Sequence, residues 1–269
     1  MLRLYTYFRS SAAYRVRIAL ALKGLAYDSV PVHLLRGGGE QLQAAYRAVN
    51  PAALVPALQD GGATLTQSLA LLEYLEETHP APALLPQGAV GRARVRALAL
   101  SVACDIHPLN NLRVLNYLTG TLQATDAQRT AWIHHWMALG LEAIEAQLAR
   151  DAQTGLCCHG DTPTLADCCL VPQVFNARRF GLDLAPFYEL LKRPDFGPEQ
   201  VRVQVVKTIG KMPGSQTLDI LSDYVKQTAP GAAQAGGKVA AKAGKEAGKD
   251  APRPSRVEAQ KIIEQRTAK

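Results

Sequence analysis

Tyr7-Phe8-Arg9-Ser10-Ser11-Ala12-Ala13-Tyr14-Arg15-Val16-Arg17-Ile18-Ala19-Leu20 decides how this chain folds. The short apolar run before it, Leu2-Arg3-Leu4-Tyr5, reads as a strand. Behind the two serines, Val16, Ile18, Ala19 and Leu22 recur as the apolar positions of a helix over 11–23. Serine is favoured at a helix N-cap, where its hydroxyl accepts from the orphan N–H groups of the first turn. A strand that delivers hydroxyls to a helix N-terminus builds a small anion-stabilising site, suited to a thiolate or a carboxylate. Taken alone, Ser-Ser reads equally as an ordinary cap, and the rest of the chain has to decide.

Outward from this stretch the order is regular. A strand over 27–31 completes a βαβ opening, and Gly37-Gly38-Gly39 leads to a short helix near 41–48. Two short strands, 55–58 and 63–65, flank the turn Asp60-Gly61-Gly62. An amphipathic helix over 67–78 stops before Pro80, and the proline-rich segment 79–86 is a stiff linker. From 91 to 118 the pattern is that of one long helix. A second helix is expected over 127–149, with Trp132, Trp136, Leu139, Ile144 and Leu148 among its apolar positions. Thr164-Leu165-Ala166-Asp167 has the spacing of a capping box and opens a third.

Charge divides the chain. Residues 1–188 carry 15 basic and 14 acidic side chains, residues 189–269 carry 15 and 9, so the net charge of +7 sits mostly in the tail. A nearly neutral main part argues against nucleic-acid binding there, and only the basic tail suits a weak contact of that kind. No stretch is long and apolar enough to span a bilayer, and no basic-then-apolar leader opens the chain. Five cysteines, four of them in the vicinal pairs Cys157-Cys158 and Cys168-Cys169, make a poor disulfide framework and point to a reducing cytoplasm. Neighbouring side chains on a helix diverge by about 100°, so these pairs read as small buried residues and no metal is expected.

The opening stretch resembles the signature of zeta-class glutathione transferases, the family of maleylacetoacetate and maleylpyruvate isomerases. The likeness continues in order through Asn50-Pro51-Ala52-Ala53-Leu54-Val55-Pro56, Leu65-Thr66-Gln67-Ser68, Asp105-Ile106-His107-Pro108-Leu109-Asn110-Asn111 and Asp161-Thr162-Pro163-Thr164-Leu165-Ala166-Asp167. It ends with Leu170-Val171-Pro172-Gln173-Val174-Phe175-Asn176-Ala177-Arg178-Arg179-Phe180 and stops near Phe187. It implies a thioredoxin-like α/β domain over 1–80, then an all-α domain over 87–188, together the glutathione transferase fold. It also implies glutathione as cofactor, a small dicarboxylate as substrate and a homodimer. The reaction implied is cis–trans isomerisation of maleylacetoacetate in aromatic amino-acid catabolism.

Residue by residue, the resemblance makes Ser10 the hydroxyl that donates to the thiolate, with Ser11 beside it. Many members have cysteine where this chain has Ala12. Gln67 and Ser68 match the grip on the γ-glutamyl end, Val55 and Pro56 the loop at the cysteinyl part, and Gln41, His107 and Asn111 further glutathione contacts. His107 and Asn111, four apart, are expected on one helix face despite Pro108. Arg9 and Arg179 suit carboxylates, which guanidinium binds through two parallel hydrogen bonds. Three alternatives stay open: maleylpyruvate isomerase, a non-catalytic glutathione-binding module, and a protein tethered by its basic tail. Past Phe187 the chain is unlike the family. Residues 189–227 read as an atypical helical segment, 228–269 as an Ala/Gly/Lys-rich disordered tail with a weak last helix over 256–266.

Overall fold

The computed structural model describes residues 1–184 and 254–267. The expected helical segment 189–227 and most of the Ala/Gly/Lys-rich tail lie outside them. The chain divides into two compact units, Met1–Gly197 and Pro198–Lys269. In the second, the described part is a helix over Pro254–Thr267, where a weak last helix was expected.

The first unit opens with the expected mixed sheet. Strands β1 (Leu2–Thr6), β2 (Tyr27–Pro31), β3 (Ala57–Asp60) and β4 (Ala63–Thr66) lie in the order β2-β1-β3-β4. β1 pairs parallel with β2 and antiparallel with β3, in a register that sets Leu4 beside Ser29 and Leu58. β3 starts two residues later than the apolar run suggests. Pro56 has no N–H to give a ladder, so pairing begins after it. Helix α1 (Ser11–Leu22) crosses from β1 to β2. It ends at Gly24, whose φ of +65° is the left-handed conformation a helix C-terminus needs. The helix expected near 41–48 is a 3₁₀ turn, Glu40–Leu42, followed by the single turn α2 (Ala44–Arg47). Helix α3 (Ser68–Thr78) packs its buried Leu71, Leu72 and Leu75 into the core that holds Leu4, Leu20 and Leu58.

The helical part corrects the sequence reading at one point. The single helix expected over 91–118 is α4 (Ala89–Leu100), a π-helical turn over Ser101–Ile106, a 3₁₀ turn over Pro108–Asn110 and α5 (Leu112–Gly120). Pro108 lacks the N–H that a continuing helix requires. A π segment leaves the apolar spacing nearly helical, so a periodicity reading passes through it. Helix α6 (Asp126–Arg150) buries Ile133, Met137, Leu141, Ile144 and Leu148, at spacings of three and four. Leu139, expected among its apolar positions, is exposed. Helix α7 (Leu165–Arg179) opens with the expected capping box, Thr164 N–H donating to Asp167 Oδ2 at 2.8 Å. Cys157, Cys158, Cys168 and Cys169 are buried, whereas Cys104 is exposed.

Two contacts fix the halves of this unit. Gly140 lets α6 approach the π turn closely, because a Cβ there would overlap Ile106 and lie 2.5 Å from its Cδ1. Gly140→Ala is therefore expected to cost about 1–3 kcal/mol by overpacking, despite alanine's better helix propensity, as a lowered thermal midpoint would show. The second contact is the buried pair Lys23 Nζ–Glu76 Oε2 at 2.7 Å. Lys23 also donates to the carbonyls of His79 and Pro82, while Glu76 accepts from the N–H groups of Leu84 and Leu85. One ion pair thus ties α1, α3 and the interdomain linker.

Candidate functional site

The site begins where β1 turns into α1. Ser10 is the N-cap, and its Oγ accepts from Ala13 N–H at 3.1 Å. This bond uses an acceptor site and leaves the hydroxyl proton free to donate. The loop that carries Ser10 is held from behind by Arg17. That buried guanidinium donates to Thr6 Oγ1 at 2.6 Å, to the Tyr7 carbonyl at 3.3 Å and to the Phe8 carbonyl at 3.2 Å.

Ser11 faces the other way, into the protein. Its Oγ lies 3.1 Å from His107 Nδ1 and 3.4 Å from Asn176 Nδ2. Burial, and then the nearby Arg15 charge, push the His107 pKa down to about 3. The imidazole is therefore neutral at working pH. The amide of Asn176 can only donate to Ser11, so the Ser11 proton is directed at Nδ1. Ser10 and Ser11 are brought to one place with different duties: Ser10 has a free donor, Ser11 spends its own across the two halves of the unit. The π turn aims His107 at Ser11; π segments recur where a helix must re-aim a side chain at a functional site. Asn111 is not on one helix face with His107. It has extended backbone and caps α5, its side chain accepting from Arg113 N–H at 3.2 Å.

A pH dependence follows. Unfolded histidine titrates near 6.5, and folded His107 only near 3. Between these values the unfolded chain binds the extra proton, so stability is full above about pH 6.5 and declines as pH falls toward 3. The thermal midpoint of His107→Asn is expected to fall less over pH 6.5–4.5 than that of the parent chain.

The remaining expected residues lie in the segments next to β2, β3 and β4. Ser68 is the first residue of α3, and its Oγ accepts from Arg15 Nη1 at 3.0 Å. Gln67 before it has φ +69°, a strained value for a residue other than glycine, of the kind that concentrates at binding sites. The first N–H groups of α3 have no partner within the helix. Gln41 is buried, and its Oε1 has no partner. The Val55–Pro56 peptide is cis. A ligand with a carboxylate, a thiol and a peptide backbone fits this donor set, and glutathione has all three.

Arg9 and Arg179 are both exposed. Arg9 lies over the Phe8 ring and Arg179, the last residue of α7, over Phe180. The protein packed around Arg179 lowers its pKa, Arg9 adds like-charge repulsion and the Tyr7 phenol opposes both. Neither arginine has an acidic partner among the described residues. Two mutually repelling cations with no acidic partner among the described residues are suited to a dianion.

A family model described as "Glutathione S-transferase, N-terminal domain" matches residues 4–83. The chain is 52% identical over 184 residues to a probable maleylacetoacetate isomerase of Vibrio cholerae, covering 68% of this chain and 85% of that one. It is 53% identical over 194 residues to a maleylpyruvate isomerase of a Ralstonia species, covering 72% and 90%. This chain belongs to the zeta-class glutathione transferase family of isomerases. Among solved zeta-class structures, the holo form of a bacterial maleylpyruvate isomerase superposes with TM-score 0.69 at 52% identity, covering 71% of this chain and 89% of that one. A maleylacetoacetate isomerase of Methylobacterium extorquens, with malonate and glutathione bound, superposes at 0.71 and 39% identity, covering 77% and 95%. The length matched is close to that of segment 1–187, which carries the motifs.

Two residues that touch the expected site residues had no role in the sequence reading: Asn176, inside a quoted motif, beside Ser11, and Arg15, inside the opening stretch, beside Ser68. Their signals were present: Ser11 and Arg15 are i, i+4 on α1, and Gln173 and Asn176 are polar positions on the buried face of α7. Among the described residues, no cluster of His, Cys, Asp and Glu could hold a metal, and no helix is long and apolar enough to cross a membrane.

Proposed function

We propose that this chain isomerises maleylacetoacetate to its fumaryl isomer with glutathione as cofactor. The observation that carries the reading is Ser10, a helix N-cap with a free O–H, in the same segment as Arg9, which repels Arg179, neither arginine having an acidic partner among the described residues. Bound there, glutathione would supply the thiolate nucleophile whose reversible addition to the cis double bond permits rotation. Ser10 would donate a hydrogen bond to the sulfur and keep its proton, and the α1 N-terminus would add its positive dipole end. Arg9 and Arg179 hold the two ends of the diacid, and one of them stabilises the negative charge that grows on the substrate oxygen during addition. Gln67, Ser68 and the first turn of α3 take the γ-glutamyl carboxylate. Val55, Pro56 and Gln41 contact the peptide part. His107 is the acceptor that keeps Ser11, and with it the start of α1, in place. A homodimer is part of the reading, since the family's interface pairs the two kinds of domain.

Arg9→Ala and Arg179→Ala are each expected to raise KM for the diacid more than KM for glutathione. Steady-state kinetics with each substrate varied separately checks this, and equal effects on both would assign the arginines to glutathione. The likeness to the Ralstonia protein supports maleylpyruvate as a second substrate. Maleylacetone and maleylpyruvate assayed side by side, with and without glutathione, distinguish the two substrates. Retention on immobilised glutathione without turnover of either would instead mark a binding module.

A further inference from the structure

Arg15 is 2% exposed, and it is a cation with no acidic partner among the described residues. Only one of its polar contacts is made, Nη1 to Ser68 Oγ; Nε and Nη2 are buried without a partner. The groups that face it among the described residues are a hydroxyl, an imidazole and two thiols. Ser68 faces it from α3, Cys104 and His107 from the π turn and Cys169 from α7. Burial holds Cys169 in its thiol form, with a pKa near 11. A guanidinium stays charged at any working pH, and burying one unpaired is costly. Such a group persists where something other than the protein supplies the opposite charge. Arg15 sits one helical turn behind Ser11, about 6 Å along the axis by helix rise, and it touches Ser68 at the start of α3.

We propose that Arg15 is a positioning residue for the bound cofactor. It is a buried positive charge with no counter-ion among the described residues, it biases the glutathione thiol at Ser10 toward thiolate, and it fixes Ser68 for the γ-glutamyl carboxylate. This rests on the glutathione reading above. Only the thiol–thiolate equilibrium changes: the S–H bond breaks and the proton goes to water. A structural role, by contrast, would need only the hydrogen bond to Ser68.

The test is a spectrophotometric titration of the thiolate absorbance of glutathione bound to the full chain and to three variants. Arg15→Gln keeps a donor for Ser68 without the charge, Arg15→Met removes both, and Arg15→Lys keeps the charge. The thiol pKa is expected to rise by about one unit or more in Arg15→Gln and Arg15→Met, a tenfold loss of the thiolate-to-thiol ratio, and to stay within about half a unit in Arg15→Lys. S-methylglutathione, which has no thiol to ionise, is expected to lose less affinity than glutathione does. An unchanged thiol pKa in either uncharged variant overturns the proposal. So does failure of both uncharged variants to fold, since a charge left unpaired should not hold the fold together. If the parent chain binds no glutathione, the functional reading fails first and this proposal falls with it.

Discussion

Ser10→Ala is expected to lower turnover of the diacid by about 10²–10³-fold, a loss of about 3–4 kcal/mol of transition-state stabilisation. The size follows from the role. Ser10 is the hydroxyl at the α1 start whose proton is uncommitted, so nothing nearby replaces it when charge gathers on the sulfur. The fold should survive. Losing a serine N-cap costs only about 1 kcal/mol, and Arg17 holds the loop through carbonyls that the substitution leaves in place. Circular dichroism should be unchanged while kcat falls. Ser11→Ala should behave differently, since it removes the contact to His107 and Asn176 and acts first on stability. Parent-like turnover in Ser10→Ala would refute the assignment. Loss confined to Ser11→Ala would move the donor one residue along.

Glu76→Ala should have the largest effect on stability, about 3–5 kcal/mol. The carboxylate is the counter-ion of a lysine whose side chain is fully buried, and it also satisfies the N–H groups of Leu84 and Leu85. Removing it strands one charge and two donors in the core. The double variant Lys23→Met/Glu76→Leu should recover much of the loss, because burying no charge costs less than burying one alone. Chemical denaturation of the single and double variants measures both. A loss below about 1 kcal/mol in Glu76→Ala would mean that water already reaches the pair.

The sheet was legible because its strands are short stretches holding apolar or β-branched residues, with turn residues between them. The capping box at Thr164 was legible because it is a local pattern. The split of 91–118 was not, since a π turn changes the hydrogen bonding while keeping apolar residues nearly in step. At the site, Ser10 and the arginine pair could be read from motifs. The contact between Ser11 and His107, 96 residues apart, is made by tertiary packing and leaves no local trace. Arg15, Arg17 and Lys23 mislead a periodicity reading for a related reason. Their positions look like a solvent face, yet α1 is enclosed on nearly every side and all three are buried. Each is decided by partners from other elements: Ser68, the β1 loop carbonyls and Glu76.

The most direct test of the central claim is isomerisation of maleylacetone by the full chain with glutathione, with S-methylglutathione and with neither. A blocked sulfur cannot add to the double bond, whereas it still occupies the peptide and carboxylate contacts. Turnover with glutathione alone is the result predicted here. Equal turnover in all three mixtures, or none with glutathione present, would contradict it.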